Sequence, residues 1–440
     1  MSLIGPSIER RARLARVATG RWACRLAAIA LLAVAAVPAA AQAVPGEGGA
    51  VLTMNDAVAL ARGDQLAVAA FAREAAASED AAVAAGTLPD PQIIGGVQNY
   101  PVTGDVAFHP TRDDMTMYTI GVMREQVRRA RREAAAAQLQ AQAVVSRAEG
   151  TAQERRIQRE VMIAWINAVE AAARQRLLAR VINDLDAGRR IMEAGIPTGA
   201  STPALALQAQ AEVALAQSQL AEARGQEARA RAELARWIGP AAHQALPNDV
   251  PDLTLPAMPA EVPSLETHPN VRLAEAQAQA ARRQVDAART ERRPNLSWSV
   301  IYGWRPDYGD MVSAQVTIPL QINRGRLQNR RIAEAEARAD AARLRAEDAR
   351  RELDGAYGAA LADYRAADAQ LTLLRAQAIP ALEASFETAE ARYAGGQGSL
   401  ELPLAIVRRY VEANIQAVEQ QGRRARAAAE LIYLTGEAGQ

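Results

Sequence analysis

The sequence predicts a mainly α protein with β, in which long antiparallel helical hairpins alternate with pairs of short strands. Three observations predict it. From about Glu125 to Met192 the chain has no proline and is dominated by Ala, Arg, Gln and Glu, far longer than an ordinary globular helix. Two pairs of short segments alternate apolar and polar residues. The same order then occurs twice: Leu88-Pro89-Asp90-Pro91-Gln92 opens a strand pair and a long helix, and Arg293-Pro294-Asn295 opens the same series again.

The chain begins with a stretch that reads as a secretory leader over residues 1–43. Arg10, Arg11, Arg13, Arg16, Arg21 and Arg25 precede the apolar run Leu26–Val37, and Ala41-Gln42-Ala43 supplies a small-residue cleavage site. Its removal would take away six arginines and Glu9, moving the formal charge from +1 to −4. That balance gives no electrostatic support to a nucleic-acid partner. The single cysteine, Cys24, lies before the apolar run and leaves with it, so no lipidated N-terminus, disulfide or thiolate metal site is expected. Export without another long apolar span points to the periplasm, or to an outer membrane entered as a β-barrel.

The first repeat is expected over residues 44–260 and the second over 261–440. In the first, Leu52–Ala61 and Gln65–Gly86 read as helices, with strands over about 92–102 and 115–123. A helical hairpin over about 125–238 turns at Gly195-Ile196-Pro197-Thr198-Gly199 and ends before a link holding Pro247, Pro251, Pro256, Pro259 and Pro263. In the second, His268–Arg292 is a helix, strands follow over about 295–304 and 311–322, and a hairpin runs over about 327–434. Its first arm is interrupted only by Pro380, and its turn is Gly395-Gly396-Gln397-Gly398. Half the residues are hydrophobic but only 4% are aromatic, so alanine supplies close helix contacts rather than a deep core.

The strands carry the membrane argument. Val312, Ala314, Val316, Ile318 and Leu320 share one face, opposite Ser313, Gln315 and Thr317. Leu296, Trp298, Val300, Tyr302 and Trp304 oppose Ser297 and Ser299, and Tyr118, Ile120 and Val122 alternate with Thr119 and Gly121. Segments of this length that face lipid on one side and a polar lumen on the other cross a bilayer as tilted strands. Trp298, Tyr302 and Trp304 would form an aromatic girdle. A half-buried soluble sheet is the alternative. Four strands cannot close a barrel, so several chains would have to share one.

At these residues the sequence resembles the TolC-like outer-membrane efflux family. The resemblance rests on Leu88–Gln92, Arg293–Asn295, Asp310-Met311-Val312-Ser313 leading to Ile318-Pro319-Leu320, Asn323-Arg324-Gly325-Arg326, and the turn Tyr393-Ala394-Gly395-Gly396-Gln397-Gly398-Ser399-Leu400. Pro101-Val102-Thr103-Gly104 and Thr111–Met117 are most similar to its heavy-metal efflux branch, the CzcC- and CusC-like proteins. The resemblance implies a homotrimeric α/β-barrel channel in the outer membrane of a Gram-negative bacterium, with its helical tunnel in the periplasm. It implies outer-membrane lipid, a periplasmic adaptor protein and an inner-membrane pump as partners, and an exit duct rather than an enzyme, without cofactor. Export of heavy-metal cations is expected, with a general drug and detergent duct, or a pore-less periplasmic adaptor, as alternatives.

The turns are the expected adaptor-docking tips: Gly195, Pro197, Gly199 and Ser201 in the first repeat, Tyr393, Gly396, Ser399 and Leu400 in the second. The periplasmic gate is expected at Glu401, Leu402 and Ala405. The family commonly places acidic rings there, so this chain's gate should be narrowed by apolar packing and weakly blocked by multivalent cations. A second departure is Glu125-Gln126-Val127-Arg128-Arg129, where the helix is expected to start without a clear break. His109, His243 and His268 read as solvated surface, Trp165 and Trp237 as packing residues. Met115, Met117 and Met123 are expected on the lumen face, where thioethers suit soft cations but also fill gaps. No catalytic set or metal-ligand spacing stands out.

Overall fold

A helix starts where the chain satisfies its first free N–H groups, and Thr53 does this by exchange with Asp56. The Asp56 N–H donates to Thr53 Oγ1 at 3.1 Å while the Thr53 N–H and hydroxyl donate to Asp56 Oδ2. This opens α1 (Met54–Gly63), followed by α2 (Leu66–Gly86), β1 (Gln92–Gln98), β2 (Met117–Gln126), α3 (Arg129–Gly195) and α4 (Pro203–Ile238). The second repeat holds α5 (Pro269–Thr290), β3 (Leu296–Trp304), β4 (Met311–Thr317), α6 (Gln328–Leu373), α7 (Ile379–Ala394) and α8 (Glu401–Thr435). The computed structural model describes residues 51–63, 65–197, 199, 201–253, 265–395 and 401–436. The expected leader, most of the proline-rich link, and Gly396, Ser399 and Leu400 lie outside the described residues.

The mainly α fold with a small antiparallel sheet is present, and the order of elements repeats. In the first repeat α2 packs on α3, which folds back as α4; in the second α5 packs on α6, and α8 returns along α6 and α7. With 67 residues, α3 extends about 100 Å at 1.5 Å per residue. Such a helix is held by its neighbours rather than by propensity: α1, α2, α4, α5 and α8 all lie against it. Val161, Trp165, Ile166 and Val169 are sealed there with Leu52, Leu234, Ala425 and Ala429. The Trp165 indole N–H donates to Leu52 O at 3.1 Å, so the ring buries its area without orphaning its donor.

Pro380 does not break the second hairpin. One π-turn, Leu374–Ala378, precedes it, and the Ile379 N–H reaches back to Leu374 O. Proline lacks an N–H and its ring crowds the carbonyl four residues before it; widening one turn makes room, and the helix continues to Ala394.

The strands differ from the expected bounds. β1 stops at Gln98 because Asn99 takes φ +56° and Pro101 follows. β4 ends at Thr317, two residues before Pro319, which cannot donate to a ladder. β2 begins later, after Thr116 binds Asp113 Oδ2 and Asn99 O, and it continues through Glu125 and Gln126, which pair with Ser297 and Leu296. The expected unbroken start of the following helix is therefore corrected. Arg128 is extended (φ −60°, ψ 143°), its N–H donates to Asn295 Oδ1, and the Asn295 amide donates to Glu125 at 2.9 Å. Met115 lies ahead of β2, while Met117 and Met123 share a strand face.

His268 also departs from expectation. His109 and His243 are exposed, but His268 is only 4% exposed. Its Nδ1 accepts the Asn270 N–H at 3.2 Å, capping α5, and its ring meets Tyr433 edge-on at 5.0 Å. The cap uses one ring nitrogen as acceptor, and packing against Tyr433 takes the imidazole out of solvent.

Candidate functional site

The sheet runs β1-β2-β3-β4, every neighbour antiparallel. Directly paired residues of antiparallel strands share a face, so the register sorts the side chains. One face carries Ile93 and Val97 from β1, Tyr118, Ile120 and Val122 from β2, Trp298, Val300, Tyr302 and Trp304 from β3, and Val312, Ala314 and Val316 from β4. Ile120 and Val312 are 61% and 71% exposed. The only charged residue on it, Arg124, turns its Nε to Pro89 O at the helical end. An apolar face this continuous requires a cover other than water.

The opposite face is mixed: Gln92, Met123, Ser299 and Gln315 form one row, and Gly96, Thr119, Gly303 and Met311 another. Between them Gly121 sits between Ile94 and Ile301. A Cβ at Gly121 would lie 2.6 Å from Val300 O and 2.9 Å from Ile301 Cα, so no larger residue fits at that position. Trp298, Tyr302 and Trp304 all lie on the apolar face. Tyr118 and Trp304 pack their rings at 5.6 Å at the end far from the helices, and Trp298 is six residues away, about 20 Å along the strand. Both outer edges, on β1 and β4, are unpaired among the described residues.

The other candidate region is the hairpin tips. Gly195 closes α3, Gly199 adopts φ +73°, and the N–H groups of Gly199 and Ser201 donate to Ile196 O and Gly195 O. Thr202 then accepts the Leu205 N–H and caps α4 behind Pro203. Pro197 is exposed and Ser201 buried, its hydroxyl without a partner among the described residues. Gly195, Pro197, Gly199 and Ser201 thus form one turn. Tyr393 is half-buried on the last turn of α7, and Leu402 and Ala405 are exposed on the first turns of α8, where Glu401 also begins.

Polar ties join the hairpins in a series that sequence reasoning did not find. Arg155 reaches Ile432 O, Arg159 pairs with Glu430, Arg426 with Glu170, and Arg174 with Glu419 at 3.2 Å, all between α3 and α8. Burial pushes the Glu170 carboxyl up, opposed by Arg426. Arg424 joins Asp368 on α6 to Asp252 in the link, and Gln421 takes Arg375 of the π-turn and donates to Val250 O. Nearer the tips Arg408 of α8 pairs with Glu212 of α4. The Tyr410 hydroxyl donates to Glu383 at 2.9 Å, and burial with that bond pushes the phenol up to about 12. These pairs lie up to 277 residues apart in the chain, and no local spacing reveals them. Among the described residues no His/Cys/Asp/Glu group could hold a metal ion, and no helix is long and apolar enough to cross a membrane.

Residues 263–437 match the profile of the outer membrane efflux protein family. No curated protein matches the chain by sequence. Among solved structures the chain is similar to the outer membrane protein VceC of Vibrio cholerae, at 17% identity and a TM-score of 0.70 over 87% of this chain and 96% of that one. It is similar to the CmeC outer membrane channel of Campylobacter jejuni, at 15% and 0.74 over 92% and 94%, and to CusC, at 16% and 0.71 over 88% and 92%. The second repeat thus carries the sequence pattern of the outer membrane efflux protein family, and the chain as a whole has the fold of these channels.

Proposed function

We propose that this protein is the outer-membrane exit duct of a tripartite efflux system. Three copies would pool their strands into one barrel, and their helices would form a periplasmic tunnel that meets an adaptor protein and an inner-membrane pump. The observation that carries the reading is the four-stranded sheet with one continuous apolar face, one mixed face that holds its polar side chains, and two edges unpaired among the described residues. In lipid every edge must be paired and every outward side chain apolar, and strands from neighbouring copies satisfy both demands. Trp298 would sit at one membrane interface, Tyr302 and Trp304 at the other. Two hairpins, each preceded by a strand pair, do not suit a pore-less adaptor with a single hairpin.

The tips around Gly195, Pro197, Gly199, Ser201 and Tyr393 would dock the adaptor, and the start of α8 at Glu401, Leu402 and Ala405 would narrow the tunnel. Heavy-metal cations are the proposed cargo, supported by the resemblance of Pro101–Gly104 and Thr111–Met117 to that branch.

Placing arginine on either face tests the barrel. Val300→Arg puts a charge on the lipid face, at a cost of about 2–4 kcal/mol near the midplane, and should abolish heat-resistant oligomers in the outer-membrane fraction. Ser313→Arg, on the other face, should leave them. Equal effects would overturn the assignment of faces. Growth of a deletion strain over graded zinc, cobalt, cadmium, copper and silver, beside dyes and detergents, tests the cargo: sensitivity to dyes and detergents alone would make this a general drug duct.

A further inference from the structure

The two ends of the sheet differ in charge. At the helical end, the segments 124–133, 291–293 and 324–331 hold eleven arginines against three glutamates. At the far end, 99–116 and 305–310 hold two arginines against five aspartates. The three basic segments are bound into one rim. Arg128 N–H donates to Asn295, the Gln321 amide donates to Glu291 O at 2.8 Å, and Arg331 pairs with Glu291 at 3.1 Å.

Internal pairing leaves much of this charge unmatched. The side chains of Arg128, Arg292, Arg293, Arg326 and Arg330 are exposed and make no ion pair among the described residues. Beside them, Leu320 and Ile322 are 84% and 85% exposed. Gln321, between them, is tied back to Glu291, so the two apolar side chains project while the loop is held. Projecting aliphatic residues a few positions ahead of Arg324 and Arg326, at the border of a continuous apolar face, match the boundary between lipid chains and headgroups.

We propose that this rim is an anionic-phospholipid site, in which Arg292, Arg293, Arg324 and Arg326 bind headgroup phosphates of the leaflet nearest the helices while Leu320 and Ile322 enter its acyl layer. The inference rests on the membrane-spanning reading of the sheet and adds a lipid preference and a fixed depth. Guanidinium groups suit the task because they bind phosphate oxygens in pairs and stay charged.

The test uses the full chain in nonionic detergent with an equal mixture of phosphatidylglycerol and phosphatidylcholine, the retained lipids being counted by native mass spectrometry. Phosphatidylglycerol should be retained in clear excess, and 1 M salt should erase that excess because screening then acts within about 3 Å. The combined variant R292Q/R293Q/R324Q/R326Q should reduce the excess at least about tenfold, given roughly fivefold per surface arginine, and the matching lysine variant should keep most of it. Equal retention of the two lipids, or an excess that survives both salt and the glutamine variant, overturns the proposal. Displacement of the lipid by millimolar inorganic phosphate overturns it in favour of a free-phosphate site. Insertion into phosphatidylcholine vesicles, followed by flotation, separates the two readings. A protein that floats but shows no lipid preference refutes the rim alone, and one that never inserts refutes the spanning sheet and the rim together.

Discussion

Arg408 on α8 donates to the carboxylate of Glu212 on α4, joining the two hairpins across 196 residues of sequence. The pair stands nine residues from the start of α4 and seven from the start of α8, about 10–14 Å above the tips. A tie at that height holds the second hairpin against the first, beside the proposed gate at Glu401, Leu402 and Ala405. Glu212→Gln should raise the open-to-closed ratio of the reconstituted pore about two- to fivefold, as expected for a partly exposed pair. The swap of Glu212→Arg with Arg408→Glu should restore it, and single-channel recordings would measure both. Unchanged openings in the single variant would mean that the tie does not act on the gate.

Gly121 and Gly225 should respond to alanine in opposite directions. At Gly121 the new Cβ meets backbone, 2.6 Å from Val300 O, and backbone in a paired strand cannot give way. Gly121→Ala should therefore lose heat-resistant oligomers. Gly225, on α4, has nothing within 4 Å; alanine there should stabilise the helix by about 0.5–1 kcal/mol. Thermal melting of the two variants side by side checks the contrast.

His268 makes stability depend on pH. Burial, followed by the charge of Arg155, lowers its pKa below the usual histidine value, and its Nδ1 must stay unprotonated to accept the Asn270 N–H. The unfolded chain then binds a proton at a higher pH than the folded chain does. Stability is complete above the unfolded value, near 6.5, and is lost as pH falls from there through the lowered folded value. The melting temperature should drop between neutral pH and pH 5. His268→Asn, which keeps a capping acceptor, should flatten that dependence.

The proposed gate at Glu401, Leu402 and Ala405 has no acidic side chain at its last two positions and should resist multivalent cations. A trivalent cation added from the periplasmic side should block the reconstituted pore only weakly, and Leu402→Asp should make the block strong. Tight block of the unaltered protein would show that carboxylates line the constriction after all.

Local chemistry decided what the sequence by itself determined. The duplication, the long helices and the alternation of the strands are written in propensity, breakers and a period of two, each set by neighbours a few residues apart. That is why Val300, Tyr302, Val312 and Val316 could be assigned to one face before any fold was known, and why the turn at Gly195–Ser201 was legible from its glycines and proline. Element ends were less legible, because they depend on competition: β2 takes Glu125 and Gln126 from the helix since Ser297 and Leu296, far along the chain, offer them a ladder. Proline at 380 reads as a break, yet a π-turn absorbs it because α8 holds both arms of the helix in place. The burial of His268, the ties between α3 and α8, and the pairing of Arg408 with Glu212 were decided by tertiary structure alone. Charges on separate helices find partners by packing, and a polar side chain loses its water only when another part of the chain covers it.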